Sequence, residues 1–465
     1  MREFLILMKS EWLVSAIIIF LLIVKIGRGI KNEWLLPIVQ TLLLISLAAG
    51  FLYNEEGRLF DGMFRTSSLI SFQKSILLLG VYLISLLFSD WLKGSAYLAE
   101  FFILLLSALL GMFLMISSGN LLIFYLSLEL STIPVAALAN FDLELKRSSE
   151  GAMKMILSSA FSSGTLLFGI SLLYGATGTI RFDEMPYHLN GSTLEVFAFV
   201  FLFTAFAFKL SIVPFHLWTA DVYEGAPMPA TSFLSVISKG SIAFIFINVL
   251  YHTFQPLQNT WYDLMMVLAI ATMTIGNLFA LRQQNIKRFL AFSSIAQVGF
   301  IMVGMTSNDL SGIDAVVYFI LIYVFSNLAA FGVASLISTQ TGMEKISDYK
   351  GFYEKNRLLC WIMALALFSL AGVPPTAGFF GKLFLLSAGA SRGNFIFITI
   401  TALNMIISLY YYLNIVRSMF MEKNENPVEK IKINPSANFA LIICTAGILL
   451  VGLMSWIYRY ITELS

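Results

Sequence analysis

The chain is predicted to be an all-α polytopic membrane protein, on three observations. Of its 465 residues 58% are hydrophobic and 12% charged, about half the ~25% charged fraction of ordinary globular proteins. Apolar runs of about 20 residues, the length a helix needs to cross a hydrocarbon core of roughly 30 Å, recur along the whole chain. The segments between them are short, so no extramembrane domain is expected. Lys and Arg number 29 against 27 Asp and Glu, a net charge of +2, and no block of like charge forms an arm or tail. Nucleic-acid binding is not indicated. The cysteines, Cys360 and Cys444, lie in apolar stretches and are too few for a disulfide framework.

Fourteen candidate spans can be read, near 4–24, 35–53, 69–88, 97–117, 120–139, 151–175, 194–216, 228–250, 261–281, 286–305, 313–338, 358–390, 394–416 and 437–458. Glu11 interrupts the first, and no small-residue cleavage site follows it, so this span is expected to be retained. Basic residues in the loops set the orientation. Sixteen Lys and Arg, Arg28 among them, collect on one side and seven on the other. The richer side is expected to be cytoplasmic and both termini outside.

Four ionisable residues lie too deep to be interfacial anchors. Glu129 sits about ten residues into the fifth span, roughly 15 Å along its axis. Lys209 is deep in the seventh span, Lys239 near the middle of the eighth, and Lys382 in the twelfth. A charge at such depth costs a few kcal/mol even on the lenient insertion scale and marks a functional site by default. The plainer alternative is that each charge snorkels or locks two helices together. Three lysines and one glutamate cannot all be paired as simple bridges, so some amines are expected to be neutral part of the time or to meet water. Burial disfavours the ammonium form and a nearby carboxylate favours it. Moving Glu129 towards or away from Lys209 would therefore switch the lysine between proton acceptor and donor. Lys154, four residues from the start of its span, is within snorkelling reach of the headgroups.

Two spans are expected to be broken. Pro214 follows Lys209 by five residues, and Pro374 and Pro375 precede Lys382, with Gly372 and Gly378 loosening the second break. Irregular backbone at membrane depth is tolerated only inside protein or along a polar cavity. Interrupted segments at corresponding places in two halves point to a transport site built from repeats. The broken spans are five apart, which fits two five-helix units, spans 4–8 and 9–13, of inverted topology. The expected divisions are residues 1–96 (the first three helices), 97–250 and 261–421 (one repeat and one proton half-channel each) and 422–465 (the last helix). Between the lysines, Ser293, Ser294 and Gln297 in the tenth span, with His216 at the first break, offer groups for a water path. Interhelical hydrogen bonding explains the same residues equally well. No nucleotide-binding loop, CxxC or metal-like histidine cluster is present. Gly381-Lys382 resembles the end of a P-loop but lacks its first Gly and its Ser/Thr.

The segment FKLSIVPFHLWTADVYEGAPMPATSFLSVISKG resembles the fingerprint of the antiporter-like, proton-translocating subunits of respiratory complex I, the NADH:quinone oxidoreductases. Its DVYEGAP wording is most similar to the subunit N branch. EGAMKMILSSAFSSGTLLFGISLLYGATGT and GVPPTAGFFGK are similar to the sixth and twelfth spans of the same family, and the likeness runs from about residue 100 to 420. The resemblance implies a fourteen-helix fold with inverted repeats, and a proton-translocating unit driven by quinone reduction elsewhere in the complex. It implies that Glu129, Lys209, Lys239 and Lys382 are the relay, with Lys382 ending the path. It also implies that this chain binds no cofactor, since NADH, FMN, iron–sulfur clusters and quinone reside in partner subunits. Those partners would be the antiporter-like subunit M and small subunits such as K, A and J, in the lipids of a bacterial cytoplasmic membrane. One departure stands out: the family commonly reads SSIAHxGY where this chain reads SSIAQVGF. Gln297 cannot titrate, although it can orient water, and Phe300 replaces Tyr. Two other classes carry the same buried charges: a cation/proton antiporter driven by an ion gradient alone, and a structural subunit whose charges hold helices together.

Overall fold

The computed structural model describes residues 2–27, 29–52, 55–307, 309–425 and 427–465; Arg28, counted above among the loop cations, lies outside them. Twelve helices are long and apolar enough to cross a membrane. They are α2 (Asn32–Gly50), α3 (Ser68–Leu87), α4 (Leu98–Ile116), α5 (Leu121–Ala139), α6 (Lys146–Thr177), α7a (Thr193–Leu210), α8 (Met228–Thr253), α9 (Gln258–Leu281), α10 (Ile286–Met305), α11 (Ser311–Thr341), α13 (Phe395–Met421) and α14 (Pro435–Leu453). Helix α1 (Lys9–Ile26) is of similar length but carries Lys9, Glu11 and Lys25. Two shorter apolar helices, α12a (Arg357–Ala371) and α12b (Ala377–Ala390), share one interrupted run. The short α7b (Leu217–Gly225) follows α7a, and α15 (Ser455–Leu464) follows α14. The chain is a multi-pass membrane protein.

The sequence reading did not anticipate the hairpin of β1 (Gly57–Leu59) and β2 (Phe64–Thr66) between α2 and α3. It marks one end of the bundle. Bridges from Phe64 to Ser118 and from Asn120 to Arg181 tie it to the loops before α5 and after α6. Asp183 accepts from Arg58 at 3.0 Å and pairs with Arg65 at 3.2 Å. Partial burial pushes its carboxyl upwards, but Arg65, a backbone hydrogen bond and Arg181 together hold it below the usual carboxylate range.

Burial divides the helices into a centre and a rim. Helix α11 is buried from Gly312 to Ile337, with α10 and α8 nearly as enclosed, whereas fewer than half of the residues along the membrane stretches of α2, α6, α9, α13 and α14 are buried. Large apolar side chains such as Phe161 of α6 and Ile406 of α13 are exposed there. An apolar rim of that extent fits lipid and not water. The enclosed centre is where all three deep lysines lie.

Both breaks use the same backbone device. Helix α7a ends with Ser211 at φ +65°, and α12a ends with Gly372 at φ +86°. The next residue donates back across the turn, Ile212 to the Ala207 carbonyl at 2.8 Å and Val373 to the Phe368 carbonyl at 2.9 Å. These are Schellman caps, which close the orphan carbonyls of a helix end. Pro214 and Pro375 then each stand three residues beyond the left-handed position, and both follow a cis peptide bond. After the second break Gly378 lies so close to the end of α12a that a Cβ would sit 1.7 Å from the Ser369 carbonyl oxygen. We expect Gly378→Ala to cost at least the ~1–3 kcal/mol of an overpacked core, seen as less folded chain in membranes and lower thermal stability in detergent. Gly175→Ala, where a Cβ meets nothing within 4 Å, is expected to match the parent in both.

Candidate proton-relay site

Glu129 and Lys209 face each other across α5 and α7a, but they do not touch. Ser163 of α6 donates to the Glu129 carboxylate. The Lys209 amine, on the last turn of α7a, instead donates to the Thr132 hydroxyl, one helical turn along α5 from Glu129. Thr132 in turn donates to the Leu128 carbonyl at 2.6 Å. Glu129 thus lies within electrostatic range of Lys209, and the amine itself rests on Thr132.

Lys239 follows a six-residue π-helical stretch, Phe233–Ser238. Such bulges re-aim the side chains of a helix and recur at functional sites. Its amine donates to the Ser294 hydroxyl of α10 at 2.8 Å and stands 5.6 Å from the centroid of the Tyr223 ring. His216, just past the first break, is buried beside the Pro214 backbone, and it lies within electrostatic range of Lys239.

Lys382 occupies the second break. Its amine donates to the Ala371 carbonyl at 3.2 Å, on the last residue of α12a, and stands over the Phe300 ring at 4.4 Å. A helix C-terminus presents unsatisfied carbonyls with partial negative charge, and an aromatic face adds cation–π attraction. Phe300, the phenylalanine noted in SSIAQVGF, is therefore part of the lysine's seat. None of the three deep lysines forms an ion pair with a described carboxylate; each donates to a neutral oxygen.

A polar line runs from Lys239 towards Lys382. Ser294 and Ser235 lie beside the Tyr323 hydroxyl, and Tyr323 is near Tyr412. Gln297 donates to the Tyr412 hydroxyl at 3.1 Å and to the Leu370 carbonyl at 2.8 Å, next to the carbonyl that Lys382 uses. Ser293 and the Gln297 carbonyl oxygen are buried without a protein partner. The tyrosines were missed in the sequence because aromatic residues are ordinary in apolar spans. Lys154 is half-exposed, bonded to Glu150 at 2.7 Å and Asp221 at 2.6 Å. Arg288 bridges Asp221 and Glu224, and Lys287 pairs with Glu344. These five ion pairs lie at the end opposite the hairpin. Among the described residues no group of three His, Cys, Asp or Glu side chains could hold a metal ion.

With this geometry, comparison with known proteins is informative. Residues 118–408 match the family described as NADH:quinone oxidoreductase/Mrp antiporter, transmembrane. The chain is 44% identical over 461 residues to NADH-quinone oxidoreductase subunit N of Phocaeicola vulgatus, covering 98% of each. It superposes on a chain of respiratory complex I from Thermus thermophilus with a TM-score of 0.82 at 26% identity, covering 96% and 97%. It shares the fold of a chain of the Mrp complex from Dietzia, with a TM-score of 0.87 at 18% identity, covering 98% and 96%. The protein is of the antiporter-like transmembrane class. It belongs to the NADH:quinone oxidoreductase subunit N family.

One buried ion pair escaped the sequence reading. Lys74 of α3 donates to Glu11 of α1 at 2.5 Å, with side-chain exposures of 2% and 4%. Glu11 had stood out only as an interruption, and Lys74, seven residues into its helix, was not singled out. Removing one member of a buried pair strands the other and typically costs about 3–5 kcal/mol, whereas replacing both by apolar groups is near neutral. We expect Lys74→Met alone to lower the amount of assembled protein sharply, and Glu11→Leu with Lys74→Met to recover most of it. Equal loss in the single and double variants would contradict this.

Proposed function

We propose that this chain is the proton-conducting membrane subunit of a bacterial NADH:quinone oxidoreductase. The observation that carries the reading is that three enclosed lysines, each donating to a hydroxyl or a helix-end carbonyl, have no partner carboxylate among the described residues to trap their protons. In this reading Glu129 sets the proton affinity of Lys209. Lys209 passes its proton past Thr132 and His216 to Lys239. From there it travels along Ser294, the tyrosines and Gln297 to Lys382, and from Lys382 to the outer side. Gln297 holds the path open by orienting its neighbours and does not itself titrate.

The finer architecture belongs to the same proposal. The twelve long helices, α1, and the α12a–α12b run counted as one span make fourteen. Residues 97–250 and 261–421 form two inverted five-helix units, supported by the matched Schellman caps at the ends of α7a and α12a. The first three helices (1–96) and the last (422–465) flank them. The membrane is the cytoplasmic membrane, with both termini and the hairpin end outside. The antiporter-like subunit M and small subunits such as K, A and J are the neighbours. NADH, FMN, iron–sulfur clusters and quinone act in partner subunits, and this chain does no redox chemistry.

The test is proton translocation by the assembled complex in inverted membrane vesicles energised with NADH. Lys209→Ala and Lys382→Ala are each expected to lower the protons moved per electron or to stall quinone reduction, at normal assembly. Parental coupling in both variants would contradict the relay.

A further inference from the structure

We propose that Asp314 is a further proton-carrying residue, taking protons from Lys382 and releasing them at the hairpin end. This rests on the relay reading above and extends it beyond its last lysine. Asp314 lies in the first turn of α11 and is 3% exposed, and its Oδ1 has no hydrogen-bond partner in the protein. An enclosed carboxylate left without a cation is costly at a membrane interior and is a functional candidate for the same reason as the lysines.

Packing around α12b argues for the direction. Towards α10 the path from Lys382 to the hairpin end is closed by aliphatic contact. Leu385 presses on Gly304 and Val303 on Gly389, so that a Cβ at either glycine would lie 2.4 Å or 2.6 Å from its neighbour. Towards α11, α14 and α15 polar groups continue. On the face of α12b away from Lys382, Phe384 stacks on Tyr458 at 4.1 Å and packs on Tyr318 at 5.4 Å. The Tyr318 hydroxyl, one helical turn along from Asp314, donates to the Val451 carbonyl at 2.9 Å. Asp314 itself faces Thr462 and Ser465 of the α15 segment, with Tyr458 and Asp309 in electrostatic range. Ser465 in turn lines a polar cavity of about 670 Å³ whose wall includes Arg58, Arg65, Asn248 and His252, all at the hairpin end.

The transfer balances simply. The Lys382 ammonium gives one proton, through water along the tyrosine hydroxyls, to the Asp314 carboxylate, leaving a neutral amine and a carboxylic acid. The acid then gives that proton to water in the cavity and returns to carboxylate.

The competing role for Asp314 is to pin α15 through Thr462 and Ser465. NADH-driven proton translocation in inverted vesicles, normalised to assembled complex, separates the two. Asp314→Asn keeps the hydrogen-bonding shape but cannot titrate, and is expected to lower protons moved per NADH several-fold at parental assembly. Asp314→Glu is expected to restore translocation, and Thr462→Val to behave as the parent. Parental translocation by Asp314→Asn, failure of Asp314→Glu to restore it, or the same loss in Thr462→Val would overturn the assignment. Lys382→Ala in the same assay locates a failure. If it stops translocation while Asp314→Asn does not, only the assignment of Asp314 falls. If it also behaves as the parent, the relay itself has failed.

Discussion

Hydrocarbon offers no hydrogen bonds, and every other feature of this molecule answers to that. Backbone groups are satisfied within helices, and a charge survives at depth only with polar company. The company chosen for the lysines is unusual in kind. A carboxylate would hold an ammonium tightly in a medium of low dielectric constant. A threonine hydroxyl, a serine hydroxyl and a peptide carbonyl solvate the ammonium without fixing it. Glu129 is bonded to Ser163 and lies one turn from the Lys209 contact, without touching the amine. Two of the most enclosed helices, α8 and α10, carry Lys239 and its serine partner, and α11 is enclosed beside them.

The breaks in the seventh and twelfth runs follow from the same constraint. Each exposes helix-end carbonyls at membrane depth, and at the second break one of them becomes the seat of Lys382. The shared cap geometry also brings out a difference. Counting from the left-handed residue, Lys382 stands ten positions beyond Gly372, and the residue ten beyond Ser211 is Asp221. The same backbone device carries a buried cation in one half and, in the other, an anion bonded to Lys154 and Arg288 near the opposite face. The same bend thus holds opposite charges in its two places.

Much of this could be read from residue order, because hydropathy and proline are strong local signals. The apolar runs located the helices, and Pro214 and Pro374-Pro375 located both breaks. The depth of Glu129, Lys209, Lys239 and Lys382 marked them without any knowledge of their neighbours. Neighbours were what could not be read. Thr132, Tyr223, Tyr323 and Tyr412 are unremarkable in apolar helices until folding sets them beside an amine. Asp314 looks like an ordinary acid in a first turn, where the helix dipole favours one, until α15 covers it. Lys74 and Glu11 come from different helices, and only their meeting gives either a meaning. The hairpin was missed because three-residue strands carry too little alternation to register.

The central claim is that the buried amines let go of their protons during turnover, and Lys239, midway along the path, is where it is tested most directly. Arginine keeps a positive charge at every accessible pH and does not act as a proton donor and acceptor in turn. In the assembled complex with Lys239→Arg, the account predicts a subunit that assembles normally yet moves fewer protons per electron than the parent. Parental proton translocation by that variant would mean that a fixed charge is sufficient, and would contradict the relay.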